Sequence, residues 1–296
     1  MRSGFVALIG RPNAGKSTLL NRLVGEKLSI VSPRPQTTRN RVTGIMNRAG
    51  AQVIFVDTPS LHEAHGKLAE FMLKTARRAV EEVDVVCLLV DASAVSGPDA
   101  VVLAPLEGFR GPVFCLLNKA DRVRPKMKML PLIERWRAAH PFAQIMPISA
   151  TDGTNCDALL DLVVAHMPEH PAFFPEEATS DQPETFYVAE VVREKIFHLT
   201  HQEVPYAVAV RVEELAERVR PPRLDIRATI FVEHDSQKGI LIGKGGSMLK
   251  RIGSEARHEL EGFFGIQVFL GLTVQVRRNW RRDDRALREF GFRLTS

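Results

Sequence analysis

From residue 4 to about residue 167, short and nearly unbroken apolar runs alternate with amphipathic stretches. The runs fall at 5–9, 53–56, 83–90 and 113–117. Apolar residues at consecutive positions predict strands buried on both faces, as in a parallel sheet covered by helices. Between them, 17–24, 67–82, 126–140 and 155–167 read as helices. Strand–helix alternation of this kind predicts an α/β domain with a mostly parallel, doubly wound sheet.

A break follows at 168–184, where Pro168, Pro171, Pro175 and Pro183 interrupt any helix or strand period; this reads as a linker. Beyond it the period changes to two. Ile226, Ala228, Ile230 and Val232 alternate with Arg227, Thr229 and Phe231. Val268, Leu270, Leu272, Val274 and Val276 alternate with Gln267, Phe269, Thr273 and Gln275. Such strands are half exposed, with helices expected on one face of the sheet. Between them Leu249, Ile252, Ala256, Leu260 and Phe263 recur at helical steps. The expected division is a first domain over 1–167, a linker over 168–184, an α+β domain over 185–280 and a basic tail over 281–296.

The length of 296 residues suits two domains. Hydrophobic residues at 45% and charged residues at 25% are ordinary globular values, which excludes a disordered or fibrous chain. The longest apolar run, Val85-Val86-Cys87-Leu88-Leu89-Val90, is far short of the roughly 18 residues that span a bilayer. Met1-Arg2-Ser3 runs straight into a strand and leaves no room for a leader, so the expected location is the cytoplasm. Cys87 and Cys115 sit inside apolar strands and Cys156 stands alone, with no CxxC or Cys/His spacing; a zinc site and a disulfide frame are both excluded. Forty basic residues against 35 acidic ones give +5, a mild surplus that favours an anionic partner.

The chemistry begins at Gly10-Arg11-Pro12-Asn13-Ala14-Gly15-Lys16-Ser17, which fits GxxxxGK(S/T) between a strand and a helix carrying Thr18, Leu19 and Leu20. In that context the glycine-rich backbone curls its N–H groups onto phosphate oxygens at a helix N-terminus. Lys16 adds charge at the β- and γ-phosphates, and the Ser17 hydroxyl can ligate Mg²⁺. Asp57-Thr58-Pro59 follows the strand 53–56, which places the Asp57 carboxylate at a strand end where it can hold Mg²⁺, commonly through water. Asn118-Lys119-Ala120-Asp121 follows the strand 113–117. A carboxylate there can accept from both donors of guanine, a pair that adenine lacks. Ser149-Ala150 follows a strand-like run at 145–148 and can support the base through backbone groups.

In order and spacing these elements resemble the G1, G3, G4 and G5 motifs of small GTPases, and most closely the translation-factor-related class of bacterial GTPases. The resemblance implies that Thr37-Thr38-Arg39 supplies the switch I threonine over Mg²⁺ and the γ-phosphate, with Thr38 first and Thr37 second. It also implies that Asn13 can hold K⁺ beside the phosphates. Two positions depart from the pattern: DxxG ends in Ser60 rather than glycine, and Leu61 stands where other GTPases carry a water-orienting glutamine. Catalysis is thus expected of Lys16 and Thr38, with Ser60 and Leu61 counted in the nucleotide site.

In the second domain, Gly239-Ile240-Leu241-Ile242-Gly243-Lys244-Gly245-Gly246 enters the amphipathic helix. Gly243-Lys244-Gly245-Gly246 is a GxxG loop, a turn that lets nucleic-acid backbone approach a helix N-terminus, with Lys244, Lys250 and Arg251 adding charge on that side. Together with the flanking strands and helices this resembles a type II KH domain, which implies single-stranded RNA binding around Gly239, Ile242, 243–246, Lys250 and Arg251. The tail carries Arg277, Arg278, Arg281, Arg282, Arg285, Arg288 and Arg293 against Asp283, Asp284 and Glu289. It reads either as a helix packed through Leu287 and Phe290 or as a basic edge facing RNA.

A G domain joined to a C-terminal KH domain resembles the Era family of the TrmE-Era-EngA class over essentially the whole chain, Val204-Pro205-Tyr206 and the Trp280 region included. The family implies a slow, Mg²⁺-dependent GTPase, monomeric, whose KH domain takes the 3′ end of 16S rRNA and which acts in small ribosomal subunit assembly. It also implies weak peripheral association with the inner face of the cell membrane, for which no lipidation motif or amphipathic anchor is present. Rival readings are a P-loop kinase or ATPase, opposed by Asn118 and Asp121, and an RNA-binding scaffold with a barely hydrolysing G domain, motivated by Ser60 and Leu61. A tRNA-modifying relative of the same class is the third, and such relatives carry other accessory domains.

Overall fold

The computed structural model describes residues 1–61, 66–94 and 97–292. The chain forms two compact units, Met1–His65 with Ala69–Asp181, and Gly66–Leu68 with Gln182–Ser296.

The first unit runs β1 (Arg2–Gly10), α1 (Lys16–Val24), β2 (Val42–Arg48), β3 (Ala51–Asp57), α2 (Lys67–Glu81), β4 (Val85–Asp91), α3 (Ala100–Leu103), β5 (Val113–Asn118), α4 (Met129–Ala139), β6 (Gln144–Pro147) and α5 (Cys156–His166). The sheet order is β2-β3-β1-β4-β5-β6, and only β2 is antiparallel to its neighbour. Val6, Ala7, Leu8 and Ile9 of β1 are all fully buried, as the unbroken apolar run requires. Because β1 lies between β3 and β4, the chain leaves the sheet in opposite directions on either side of it. The carboxyl ends of β1, β3, β5 and β6 then open onto one edge, the usual place for a ligand in such sheets.

β2 was not legible as a strand. Its Val-Thr-Gly-Ile-Met-Asn-Arg sequence neither alternates nor runs apolar, and pairing with β3 over the whole of its length makes it a strand. Gly44 within it is required: a Cβ there would come within 2.7 Å of Leu20 Cδ1 and 2.8 Å of Val24 Cγ2 on α1.

The stretch read as a linker forms no helix before Glu184 and only one bridge, Arg2 with Glu169. Through Asp181 it belongs to the first unit. The Ile45 N–H donates to the Thr179 carbonyl at 2.8 Å and the Ser180 hydroxyl to the Thr43 carbonyl at 2.6 Å. The buried Gln52 side chain accepts the N–H groups of Phe173 and Phe174 at 2.7 and 3.0 Å and donates to the Phe174 carbonyl at 2.9 Å. The Ile45 N–H and the Gln52 side chain thus satisfy backbone groups that proline keeps out of regular pairing.

The second unit runs α6 (Glu184–Leu199), β7 (Ala209–Val219), β8 (Pro222–Val232), α7 (Asp235–Ile242), α8 (Ser247–Phe264), β9 (Val268–Val276) and α9 (Asp284–Glu289). The sheet order is β7-β8-β9, with β7 antiparallel and β9 parallel to β8. Val188, Val191 and Ile196 of α6 pack with Ile252, Ala256 and Leu260 of α8 over Ile226 and Ile230. The other face of β8 is less exposed than its alternation predicts. Phe231 is 6% exposed because Phe290 of the tail packs on it, ring centroids 4.6 Å apart. Trp280 is fully buried, donates its indole N–H to the Ala207 carbonyl at 2.9 Å and meets Phe290 edge-on. Ala286, Leu287, Phe290 and Phe292 of the tail thus pack into the core, while Arg282, Arg285 and Arg288 stay exposed. Arg293 lies outside the described residues.

Candidate functional site

The P-loop is shaped first by its backbone. β1 ends at Gly10, where a Cβ would fall 2.4 Å from the Leu89 carbonyl oxygen, so only glycine lets β1 and β4 lie this close. Asn13 at φ 60° and Gly15 at φ 96° turn the loop into α1, whose first residue is Lys16. A left-handed turn entering a helix N-terminus is the geometry that gathers backbone N–H groups around an anion.

Lys16 is buried and hands its ammonium protons to the Gly10 and Arg11 carbonyls at 3.2 and 3.4 Å and to the Ser60 hydroxyl at 3.1 Å. Burial lowers it to about 8, while nearby Asp57 pulls the other way. Asp57 is itself pushed up by burial, against Lys16 and the hydroxyls around it.

Three hydroxyls from three segments converge on one Asp57 oxygen. Ser17 and Ser29 donate to Oδ2 at 2.7 and 2.8 Å, and Thr38 does so at 3.3 Å; Ser17 and Thr38 oxygens are 2.9 Å apart. The other oxygen, Oδ1, is buried with no hydrogen-bond partner. An unmatched carboxylate oxygen beside two hydroxyls suits a hard divalent cation completed by phosphate oxygens and water. Among the described residues no group of three or more His, Cys, Asp or Glu could hold a metal by itself. Thr38 stands at this point. The Thr37 hydroxyl instead donates to the Arg34 carbonyl at 2.8 Å.

At the opposite end, Asn118 braces two loops. Its Nδ2 donates to the Ala14 carbonyl at 2.7 Å, and its Oδ1 accepts the Ala150 N–H at 2.9 Å. Of the Ser149-Ala150 backbone groups expected to support the base, the Ala150 N–H is thus engaged by Asn118. Lys119, at φ 63°, reaches Asp91 at 2.6 Å. Asp121 Oδ1 is buried without a partner, as a carboxylate awaiting a donor should be. Between the two ends lies a cleft of about 520 Å³, lined by Asn13, Gly15, Lys16, Ser17, Thr18, Thr38, Ser60, Asn118, Lys119 and Ala150 among others.

Other expected residues turn away from the cleft. Thr58 donates its hydroxyl to the Leu8 carbonyl at 2.8 Å, Pro59 and Ser149 are buried, and Leu61 sits in the core with its N–H on Gly10 O at 3.0 Å. They shape the loops. Sequence reasoning missed Ser29, which nothing in its local pattern marks. It also missed Asn21, whose Oδ1 accepts the Leu28 and Ser29 N–H groups at 2.9 Å and so holds Ser29 in place.

In the second unit, α7 opens on a capping box between His234 and Gln237 and ends at Gly243. Gly243 at φ 70° has no space for a Cβ, which would lie 2.8 Å from Met248 N. Gly245 and Gly246 also take positive φ, and α8 starts at Ser247. Beside this loop a groove of about 490 Å³ lies between α8 and β9. Of the residues expected to touch RNA, Gly246 and Lys250 line it. Gly239, Ile242, Gly243, Lys244 and Gly245 do not line it, and Arg251 is paired with Glu255 at 2.9 Å. The groove adds Leu249, Gly253, Ser254, Arg257 and Phe269, the last 58% exposed. Arg257 and Phe269 had a signal in sequence: a cation two helical turns beyond Lys250, and an aromatic on the polar phase of a strand.

Comparison with known proteins bears on both units. Residues 5–119 match the family described as 50S ribosome-binding GTPase, and residues 203–281 match the KH domain family. Over 292 residues the chain is 48% identical to GTPase Era of Geobacter metallireducens, covering 98% of each. The chain belongs to the Era GTPase family. Two Era crystal structures superpose with a TM-score of 0.94 at 40% identity, each covering 99% of this chain and 100% of the other. One is an Aquifex aeolicus Era variant bound to GDP·AlF4⁻; the other is an Era in complex with MgGDPNP and nucleotides 1506–1542 of 16S ribosomal RNA. As an Era-family member the chain has a P-loop G domain with a mostly parallel sheet, followed by a KH domain. No helix among its described residues is long and apolar enough to cross a membrane.

Proposed function

We propose that this Era-family GTPase is a nucleotide-controlled RNA-binding switch for assembly of the small ribosomal subunit and processing of 16S rRNA. The carrying observation is the coexistence of two built sites: the P-loop cleft lined by Lys16, Ser17, Thr38 and Asn118, and the GxxG groove. Residues 1–167 would take GTP or GDP, residues 168–184 connect, residues 185–280 take single-stranded RNA like the 3′ end of 16S rRNA, and the described part of the 281–296 tail packs on the KH unit through Leu287 and Phe290.

Ser17, Thr38 and Asp57 would hold Mg²⁺, which when bound neutralises charge on the β- and γ-phosphates. Lys16 contributes a desolvated positive charge to the same oxygens, stronger there than in water. Water attacks the γ-phosphorus, the bond to the bridging oxygen breaks, and its electron pair stays on the β-phosphate. Leu61, in the core, orients no water, so the chain itself holds no side chain for that step at position 61 and slow intrinsic turnover follows. Asp121 accepts from guanine. Asn13, whose Nδ2 now donates to the Pro33 carbonyl at 2.9 Å, is the residue we assign to K⁺; a hydrolysis rate unchanged when Na⁺ replaces K⁺ would overturn that assignment.

GTP contacts at Thr38 and Ser60 would order their loops and change RNA affinity. Linkage then requires RNA to change GTP affinity by the same factor. We assign the bacterial cytoplasm, a monomeric state and peripheral contact with the inner membrane face, testable by light scattering and vesicle flotation. The decisive test is binding of a short strand matching the 3′ end of 16S rRNA, against a scrambled strand, with GTP analogue, GDP or no nucleotide at fixed salt. Stronger specific binding with the analogue is expected. Equal binding in all three states would favour the second reading, an RNA-binding scaffold, which Ser60 and Leu61 motivate.

A further inference from the structure

Ser60 occupies the position that ends the DxxG pattern in glycine, and its side chain is engaged. The Lys16 ammonium has three protons, and the structure gives it three acceptors: Gly10 O, Arg11 O and Ser60 Oγ at 3.1 Å. The first two are P-loop carbonyls, present whatever the sequence at those positions. The third is a side-chain oxygen that neither glycine nor alanine has. Ser60 is only 6% exposed, yet it lines the cleft, so its hydroxyl stands in the wall between Lys16 and the ligand space. It follows Asp57 by three residues, on the side of the cleft where Ser17 and Thr38 gather.

The geometry points to Ser60 as a residue that sets the preference between nucleoside di- and triphosphate, its hydroxyl holding on Lys16 the place that a terminal phosphate oxygen must take. This rests on the GTPase reading above. A diphosphate offers Lys16 only β-phosphate oxygens, which take the place of a P-loop carbonyl and leave the Lys16–Ser60 hydrogen bond standing. A γ-phosphate has to displace it, and the displaced hydrogen bond opposes triphosphate binding. The chain therefore holds triphosphate less tightly, relative to diphosphate, than it would with glycine or alanine at position 60. Ser60 acts here through Lys16 and is a positioning residue.

The test is calorimetric titration of GDP and of a non-hydrolysable GTP analogue into the full chain, as wild type, S60A and S60G, at fixed Mg²⁺ and ionic strength. In S60A the analogue should bind about ten- to a hundredfold more tightly, the effect of one hydrogen bond to a charged group. GDP affinity should stay within about twofold, since the bond is present both before and after GDP binds. A general loosening of the fold would weaken both ligands together and would not move their ratio in this direction. S60G removes the hydroxyl while keeping the backbone that DxxG prefers, and must shift the ratio the same way. An unchanged ratio in both variants overturns the inference. A lowered ratio does too, by showing that the hydroxyl donates to the γ-phosphate instead. Wild type that binds neither nucleotide overturns the GTPase reading itself, a result distinct from either.

Discussion

Asn118 on β5 reaches Ala14 in the P-loop, its Nδ2 donating to the Ala14 carbonyl at 2.7 Å while its Oδ1 takes the Ala150 N–H. One amide thus sets the distance between the phosphate loop and the loop after β6. Asn118→Ala leaves a buried carbonyl and a buried N–H without partners, each costing about 1–3 kcal/mol. We expect Asn118→Ala to lower the urea midpoint of the first unit and to weaken GDP at least tenfold. Unchanged GDP affinity by titration would show that the brace is dispensable.

Asp121 should decide the base. A carboxylate accepts twice, whereas an amide accepts once and presents a donor to the other position. Asp121→Asn is expected to lose guanine nucleotides by a hundredfold or more while the fold persists, since Asp121 Oδ1 has no protein partner to lose. Competition between GTP and xanthosine triphosphate for the variant reads this directly, with xanthine favoured.

Lys16 gives a pH signature in nucleotide-free protein. Folded, it releases its proton near 8, and unfolded near the ordinary 10.5. Below pH 8 both states are protonated and folding bears the full cost of burying the charge. Between about 8 and 10.5 the unfolded state binds the extra proton, so this group's contribution to stability rises with pH. Lys16→Met should therefore be more stable than wild type at pH 7, and its advantage should shrink as pH passes through that window. Paired urea melts at several pH values check it, and a pH-independent difference would contradict it.

The groove makes a separable prediction. Lys250→Ala and Arg257→Ala should each weaken single-stranded RNA several-fold and reduce the slope of log affinity against log salt by about 0.7, as expected for one phosphate contact. Arg251→Ala, whose side chain pairs with Glu255, should do neither. Salt titrations of RNA binding discriminate these outcomes.

Trp280 distinguishes packing from RNA contact in the tail. Trp280→Phe keeps most of the apolar volume but leaves the Ala207 carbonyl unmatched, so a loss of about 1–3 kcal/mol is expected. RNA affinity measured below the melting transition should be retained. A selective loss of RNA binding with unchanged stability would place the tail in the interface instead.

The residues that carry phosphate, metal and base chemistry were readable because each follows a strand buried on both faces, and consecutive apolar positions such as Leu116-Leu117 announce such a strand. What escaped reading depends on partners distant in sequence. β2 owes its strand to β3, Ser29 owes its place to Asn21 and Asp57, and β7 shows no clean alternation because a bulge between Val212 and Glu214 shifts its phase. Phe231 falls on the polar phase of β8, and Phe290, nearly sixty residues later, together with Arg211 over its ring, explains its burial.

The segment after α5 also bears on solubility. β2 ends the sheet, and an unpaired strand edge is a template on which a second chain can add. Here Thr179 accepts from Ile45, Ser180 donates to Thr43, and Asn47 reaches the carbonyls of Glu176 and Ala178. The covering segment carries prolines and carboxylates, which themselves refuse a further strand. A first domain cut at His166 would lose that cover and leave the β2 edge open to a second strand.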